Sequence, residues 1–373
     1  MHVELIRRPN PSPLFSALSP LLALAIMILV GAVMFMLLAP EPAGRELLMS
    51  DRVQFALRAL YTYFVEPLTE TWSLHELLIK AAPLILIAIG LSVCFLSNNW
   101  NIGAEGQFII GAVAGSILPV VFPDFQGPLV LPLMLVMGVL GGMAYAAIPA
   151  LLKARFNTSE ILSSLMLVYV AQLFLDWIVR GPWRNPEGFN FPESRSFHAD
   201  AILPEIVSAS GRAHYGFVFA LVVAMALWFM LNKTLKGFEI RVLGQSPRAG
   251  RFAGFSYTGT VFTTFLIAGG LAGLAGISEV SGAIGQLRPS ISPGYGFTAI
   301  IVAFLGRLNP LGIVAAGLVL ALSYLGGEAV QMLPGGGISN KVASIFQGIL
   351  LFSVLACDTL IHYRVRIAAR VAG

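Results

Sequence analysis

The sequence predicts an all-α, polytopic membrane protein of about ten transmembrane helices, some of them short or broken. Three observations carry that expectation. Of the 373 residues, 57% are hydrophobic and only 11% are charged, against about 25% charged in a soluble domain. Apolar runs near the spanning length of about 20 residues recur along the whole chain. The runs are unbroken rather than alternating, which excludes a β-barrel and leaves helices to satisfy the backbone in lipid.

The first expected span, 14–39, is too long and too evenly apolar for a signal-peptide core and reads as a retained helix. An outer segment, 40–76, follows, and its "RVQFALRALYTYFV" has the aromatic and aliphatic content of a helix lying in the interface. Spans are then expected at 77–97, 106–123, 128–152, 160–180 and 213–232, with a second outer segment at 181–212. After a basic inner loop, 233–257, come 258–279, 295–306, 309–326 and 339–358. The run 295–306 is short and "GRLNP" follows at once, so a broken or tilted helix pair is expected there. The chain reads as a single transmembrane domain, 1–373, in which 1–74 form the first span and the outer interfacial segment.

Orientation follows from Lys and Arg in short loops. Lys233, Lys236, Arg241, Arg248 and Arg251 face the single acid Glu239 in the inner loop. Arg7 and Arg8 precede the first span, Lys153 and Arg155 follow the fourth, and Arg364, Arg366 and Arg370 close the chain. With ten spans all four clusters fall on one side, so both termini are expected in the cytoplasm. Trp72, Trp177 and Trp183 then sit at outer boundaries and Trp228 near an inner one, as interfacial anchors do. Gly111/Gly115, Gly138/Gly142 and Gly269/Gly273 permit close helix approach, although such pairs arise easily by chance among 38 glycines.

Several functions are excluded. The net charge of +4 is dispersed among loops, so no nucleic-acid partner is expected. Cys94 and Cys357 read as packing residues, and the histidines, His75 and His198 among them, show no metal-ligand spacing. No cofactor is expected. No Lys follows a Gly, so the chain carries no phosphate loop of the Gly-Lys-Ser/Thr type and is not its own ATPase of that kind.

Polarity concentrates in "SNNWNIGAEGQ", residues 97–107. If partly helical, Asn98, Asn101 and Glu105 share one face. Such groups cost several kcal/mol each against hydrocarbon, so they must face protein, water or a solute. One reading is a cytoplasmic turn whose amides cap two helix ends; the other is an irregular segment lining a pathway, as discontinuous transporter helices do. Glu279, in "GISEVSG", is either an interfacial carboxylate in water or a second pathway group, and Lys80 reads as snorkelling. The inner loop carries Phe238, Ile240, Val242, Leu243, Phe252 and Phe255, which a merely solvated loop does not need. Within it "SPRAGRFAGF" has Ser246 placed as N-cap and Pro247 at the first helical position. A short helix docking into a groove on a soluble partner fits, as does one lying on the anionic leaflet.

"NWNIGAEGQ" resembles the Asn-Ile-Gly-Ala-Glu-Gly-Gln signature of nucleoside-type ABC importer permeases, within the wider group of ribose, simple-sugar and branched-chain amino-acid permeases. "IRVLGQSPRAGRFAGF" is similar to that group's coupling segment and "SPGYGFTAIIVAFLGRLNPLG" to its Gly-x-Gly-Phe motif, the likeness running from about residue 75 to 358. The resemblance implies a permease subunit, not an enzyme, in a bacterial inner membrane. Its partners would be two ATP-binding ABC subunits, a second permease and a periplasmic or lipid-anchored solute-binding protein, all set in membrane lipid. It places Asn99, Trp100, Asn101, Glu105 and Gln107, with Gly294, Tyr295, Gly296 and Phe297, by the substrate pathway; the polarity of Asn98 and Glu279 adds these two as candidates, and Trp100 would offer a stacking face for a base. ATPase coupling falls to Ser246, Pro247, Arg248, Ala249, Arg251, Phe252 and Phe255. Relatives favour Phe at Trp100 and Ala at Gly250, the latter loosening the helix by up to about 1 kcal/mol. The rival reading is an ion-coupled secondary transporter using Glu105 and Glu279; a sugar permease is the nearer alternative, and a membrane-embedded hydrolase lacks any matching triad.

Overall fold

The computed structural model describes residues 2–7, 13–40, 48–206, 211–333, 339 and 341–368. It divides into two compact units, Met1–Glu70 with Leu322–Gly373, and Thr71–Ala321.

In the first unit, α1 (Pro13–Leu37) and α2 (Met49–Phe64) are followed late in the chain by α14 (Lys341–His362). The ring of Phe346 fills its centre. It stacks on Tyr63 at 4.4 Å and meets Phe35 at 5.6 Å. Gly31 makes room, since a Cβ there would enter the Phe346 ring. The Tyr63 hydroxyl bonds Ser323 at 2.5 Å, so the buried phenol is satisfied. α2 buries the small residues Ala56 and Ala59 and exposes Val53, Leu57 and Tyr61. A strand pair was not anticipated: β1 (His2–Arg7) runs antiparallel to β2 (Tyr363–Ala368), His2 opposite Ala368. Arg7, Arg364 and Arg366 lie on it, whereas Arg8 and Arg370 lie outside the described residues.

The second unit is built around α3 (Thr71–Leu96), in which every residue from Ala81 to Phe95 is buried. Around it come α4 (Ala104–Gly115), α5 (Ile117–Val121), α6 (Val130–Phe156), α7 (Glu160–Arg180) and α8 (Gly216–Lys233). These are followed by α9 (Leu235–Gln245), α10 (Pro247–Phe252), α11 (Tyr257–Glu279), α12 (Tyr295–Leu305) and the first part of α13 (Pro310–Gln331), whose residues from Leu322 on belong to the first unit. All ten expected runs are helical. Among the described residues six helices are long and apolar enough to cross a membrane, while Leu21–Leu37, α12 and the first part of α14 are shorter. The run expected at 106–123 breaks at Ser116, whose hydroxyl turns back to Ala112 O at 2.7 Å before Pro119. Between α12 and α13, Arg307 and Leu308 take φ of 55° and 54°, reversing the chain at the "GRLNP" stretch.

The three glycine pairs meet at one place. Where α11 passes between α4 and α6, a Cβ on Gly111 would overlap Gly273 Cα and one on Gly142 would overlap Gly269 O. A Cβ on Gly138 would come within 2.6 Å of Ile277 Cγ2. Backbone therefore packs on backbone, the close approach that small residues allow in lipid. α6, α7 and α8 turn Leu140, Leu173, Met225 and Phe229 outward, as helices bordering hydrocarbon do.

Candidate functional site

α4 and α12 have 12 and 11 residues, roughly 18 and 16 Å of helix, about half the thickness of a hydrocarbon core. Their first turns touch. Glu105, in the first turn of α4, accepts the Gly296 N–H of α12 at 2.5 Å. It also takes a bond from the Ser292 hydroxyl. Ser292 Oγ in turn accepts the Gly294 and Tyr295 N–H groups, each at 3.0 Å, so it caps α12. Gly294 takes a φ of +100°, a conformation that favours glycine. A Cβ on Gly296 would overlap the Glu105 backbone, which fixes the second glycine of the Gly-Tyr-Gly-Phe stretch. The carboxylate sits on a helix N-terminus, where the dipole and free N–H groups favour an anion.

The far end of α12 lies elsewhere. Phe304 stacks on Phe95, near the end of α3, at 5.3 Å and on Trp100 at 6.2 Å. Residues 97–103 are therefore an irregular segment running beside α12 from its last turn back to its first, where α4 begins. α4 and α12 point away from each other, each preceded by non-helical chain. The conditional helical face for Asn98, Asn101 and Glu105 does not exist: Asn98 is left-handed, φ 56°, and exposed, while Asn101 is fully buried.

The amides bond within the chain. Asn101 and Gln107 exchange two hydrogen bonds, 3.0 and 3.1 Å, and Asn101 Oδ1 also takes the Gly103 N–H. Asn99 donates to Ser97 at 2.7 Å and to Thr264 at 3.3 Å, and accepts from Lys153 Nζ at 2.7 Å. The Trp100 indole donates to Asn98 at 3.3 Å. Polar density in this stretch thus satisfies the irregular backbone and its neighbours first. Trp100 at 38% and Phe297 at 40% exposure are its accessible aromatic surfaces.

Glu279 is buried at 7% exposure, so the interfacial carboxylate in water is not what is found. Its Oε1 lies 3.5 Å from the Tyr295 hydroxyl, and half-buried Lys80 is a cationic neighbour. Beyond it, Arg212 grips Glu76 with bonds of 2.6 and 3.2 Å. Nearby His214 is buried, its Nδ1 accepting the Gly216 N–H at 3.2 Å. Burial, then repulsion from Arg212, pushes its pKa down to about 4, against a weaker upward pull from Glu76. In the unfolded chain it titrates near 6.5, so the unfolded state binds the extra proton as pH falls. Its stability contribution is complete above about pH 6.5 and is lost progressively towards pH 4. Thermal unfolding in detergent should show a loss of about 1 kcal/mol between pH 7 and 5.5. A His214→Gln variant should lose that dependence.

In the inner loop, Thr234 rather than Ser246 supplies a side-chain cap, accepting from Gly237 N at 3.4 Å. Ser246 is the N-cap by position, but its φ and ψ of −148° and 89° leave the hydroxyl without a capping bond. The expected short helix is α10, which starts at Pro247, and a second helix, α9, precedes it. Ile240 and Leu243 are buried, whereas Phe252 is 97% exposed among the exposed residues Arg248, Ala249 and Arg251. Phe255 packs edge-on against Phe238, and Arg251 lies 5.2 Å over the Tyr257 ring. Gly250 is buried, and a Cβ there would push into Leu243, so the missing methyl serves the close packing of α10 on α9.

Residues 73–355, which hold both half-helices and the inner loop, match the model of the permease component of branched-chain amino acid transport systems. The chain belongs to this family. The permease is 35% identical over 314 residues to a glucose ABC transporter permease from Haloferax volcanii, covering 82% of each chain. It is 31% identical to a guanosine ABC transporter permease from Bacillus subtilis, over 76% of this chain and 81% of that one. A nucleoside ABC transporter permease from Lactococcus lactis is 26% identical over 90% of both. The chain is thus a multi-pass membrane permease of an ABC transporter, and its named relatives are transporter permease subunits.

Sequence reading overlooked Lys153. It was counted only as a loop cation, yet it is 9% exposed and bonded to Asn99 and Glu160. Glu160, seven residues on across the α6–α7 turn, was the one available signal.

Proposed function

We propose that this permease is the membrane-spanning subunit of an ATP-driven importer for nucleosides or sugars. The observation that carries the reading is the meeting of two half-length helices, α4 and α12, end to end at Glu105 and Gly296. Helices broken at mid-depth are where transporters place a solute route, because irregular backbone is tolerated only against protein or a cavity. In this reading the route passes Asn98 to Gln107, Gly294 to Phe297 and Glu279. The relatives' named solutes, glucose, guanosine and nucleosides, are neutral and rich in hydroxyls, which suits amide, hydroxyl and aromatic surfaces. Trp100 offers its exposed part to a base or sugar ring.

Energy would come from two separate ATP-binding subunits. Phe252, Arg248 and Arg251, with Ser246, Pro247, Ala249 and Phe255, would form the knob that enters each ATPase groove. A second permease would complete the path, and an external binding protein would deliver the solute. The reading puts the spans in a bacterial inner membrane, with 233–257 and both termini in the cytoplasm. The pairing of β1 with β2 supports one side for both ends, as an even number of crossings requires.

The test is uptake of labelled guanosine, adenosine, ribose and glucose by cells lacking this chain and by the same cells with it restored. Loss and rescue of one class identifies the solute. Uptake of all four unchanged by deletion would sink the nucleoside-or-sugar assignment. With the transported class known, Trp100→Ala should lower its uptake severalfold, and unchanged uptake would remove Trp100 from the route.

A further inference from the structure

We infer that Lys153 is a positioning residue that latches the irregular segment 97–103, and that its release is what couples the inner loop to the solute route. The inference rests on the importer reading above and adds to it the link between ATPase and route.

The geometry is a hub. Lys153, in the last turn of α6, donates to Asn99 Oδ1 at 2.7 Å and to Glu160 Oε1, at the start of α7, at 2.5 Å. Glu160 also takes the Trp100 N–H at 3.3 Å. Asn99 reaches Thr264 on α11 at 3.3 Å, and Ile102 N donates to Ser164 of α7 at 3.1 Å. One ammonium thus fixes the irregular segment to the α6–α7 turn, while its amide neighbour ties that segment to α11. The Lys153 and Glu160 side chains are only 9% and 14% exposed, so these charge-assisted bonds are little screened by solvent.

The inner loop presses on the same place. Gly244, near the end of α9, lies so close that a Cβ would overlap the Leu96 carbonyl and come within 3.0 Å of Ser97 Cα. Glu239 of α9 accepts from Thr260 at 2.6 Å, one turn along α11 from Thr264. Any displacement of α9 must therefore move the chain at Leu96–Ser97, next to the latch, or slide against α11. A packed contact and a buried charged hub in series form the kind of element that takes two discrete arrangements.

The test uses the complete assembly, with its ATPase and binding-protein partners, in proteoliposomes, reading solute taken up per ATP hydrolysed. Lys153→Met should leave the assembly intact on size exclusion and its hydrolysis running, but lower that ratio about tenfold. Lys153→Arg, which keeps a cationic donor, should recover most of it. Glu160→Gln, which removes the charge that Lys153 bridges to, should lower the ratio as well. Combined with Lys153→Met it should cost less than the product of the two effects, since both act on one link. An unchanged ratio in Lys153→Met, or a fall explained by lost assembly, would overturn the latch. Wild-type uptake that proceeds without ATP would instead overturn the importer reading, and the latch with it.

Discussion

Gly273→Val should abolish the folded permease. The new Cβ would overlap the Gly138 carbonyl oxygen and lie 3.1 Å from both Gly138 C and Gly142 Cα. These obstacles are backbone, so no rotamer change relieves them, and α11 must leave α6. Overpacking of a close-packed core costs 1–3 kcal/mol where side chains yield, and about 3 kcal/mol or more is expected here. The measurement is monodisperse yield and thermal unfolding after extraction in mild detergent. Gly348→Ala on α14, where a Cβ meets nothing within 4 Å, is the control and should be neutral or stabilising by up to about 1 kcal/mol. A Gly273→Val protein that purifies and melts like wild type would mean that the three helices cross differently.

Glu105 is the second position of large effect. Glu105→Ala removes the acceptor of the buried Gly296 N–H and the partner of Ser292 at the start of α12. An orphaned buried donor costs about 1–3 kcal/mol, and the lost anion at a helix N-terminus adds to it. Thermal stability should fall by about 3 kcal/mol, with uptake lost. Glu105→Gln keeps an oxygen for Gly296 and gives up only the charge, so the loss should be nearer 1 kcal/mol with uptake retained. A Gln variant that is fully stable yet transports nothing would assign the charge itself to transport. That outcome would favour coupling to an ion.

The helices were legible in the sequence because a run that must fill hydrocarbon leaves a compositional trace of its own length. α7 was expected at 160–180 and is found at Glu160–Arg180. Breaks were less legible. Ser116 gave no warning, because a hydroxyl turning back on its own helix looks like any other small polar residue in an apolar run. The glycine pairs showed that close approach was permitted but not which helices would use it. Gly111, Gly142 and Gly273 are far apart in sequence, and only the fold brings them to one crossing. Polarity in 97–107 said that these groups must meet something other than lipid. It did not say that Asn101 and Gln107 would meet each other. Lys153 was hidden for a related reason: a cation at the end of an apolar run is expected in water, and its burial depends on Asn99, which is distant in sequence.

The strand pair between His2–Arg7 and Tyr363–Ala368 sets an order in time. The ribosome makes β1 before, and β2 after, all of the helices described. Through the whole interval β1 keeps an open hydrogen-bonding edge, which short length and charge help to protect from wrong partners. Closure of the unit that holds it waits for α14 and β2 to emerge, so the last described elements, not entry of the first helix, complete that part of the molecule.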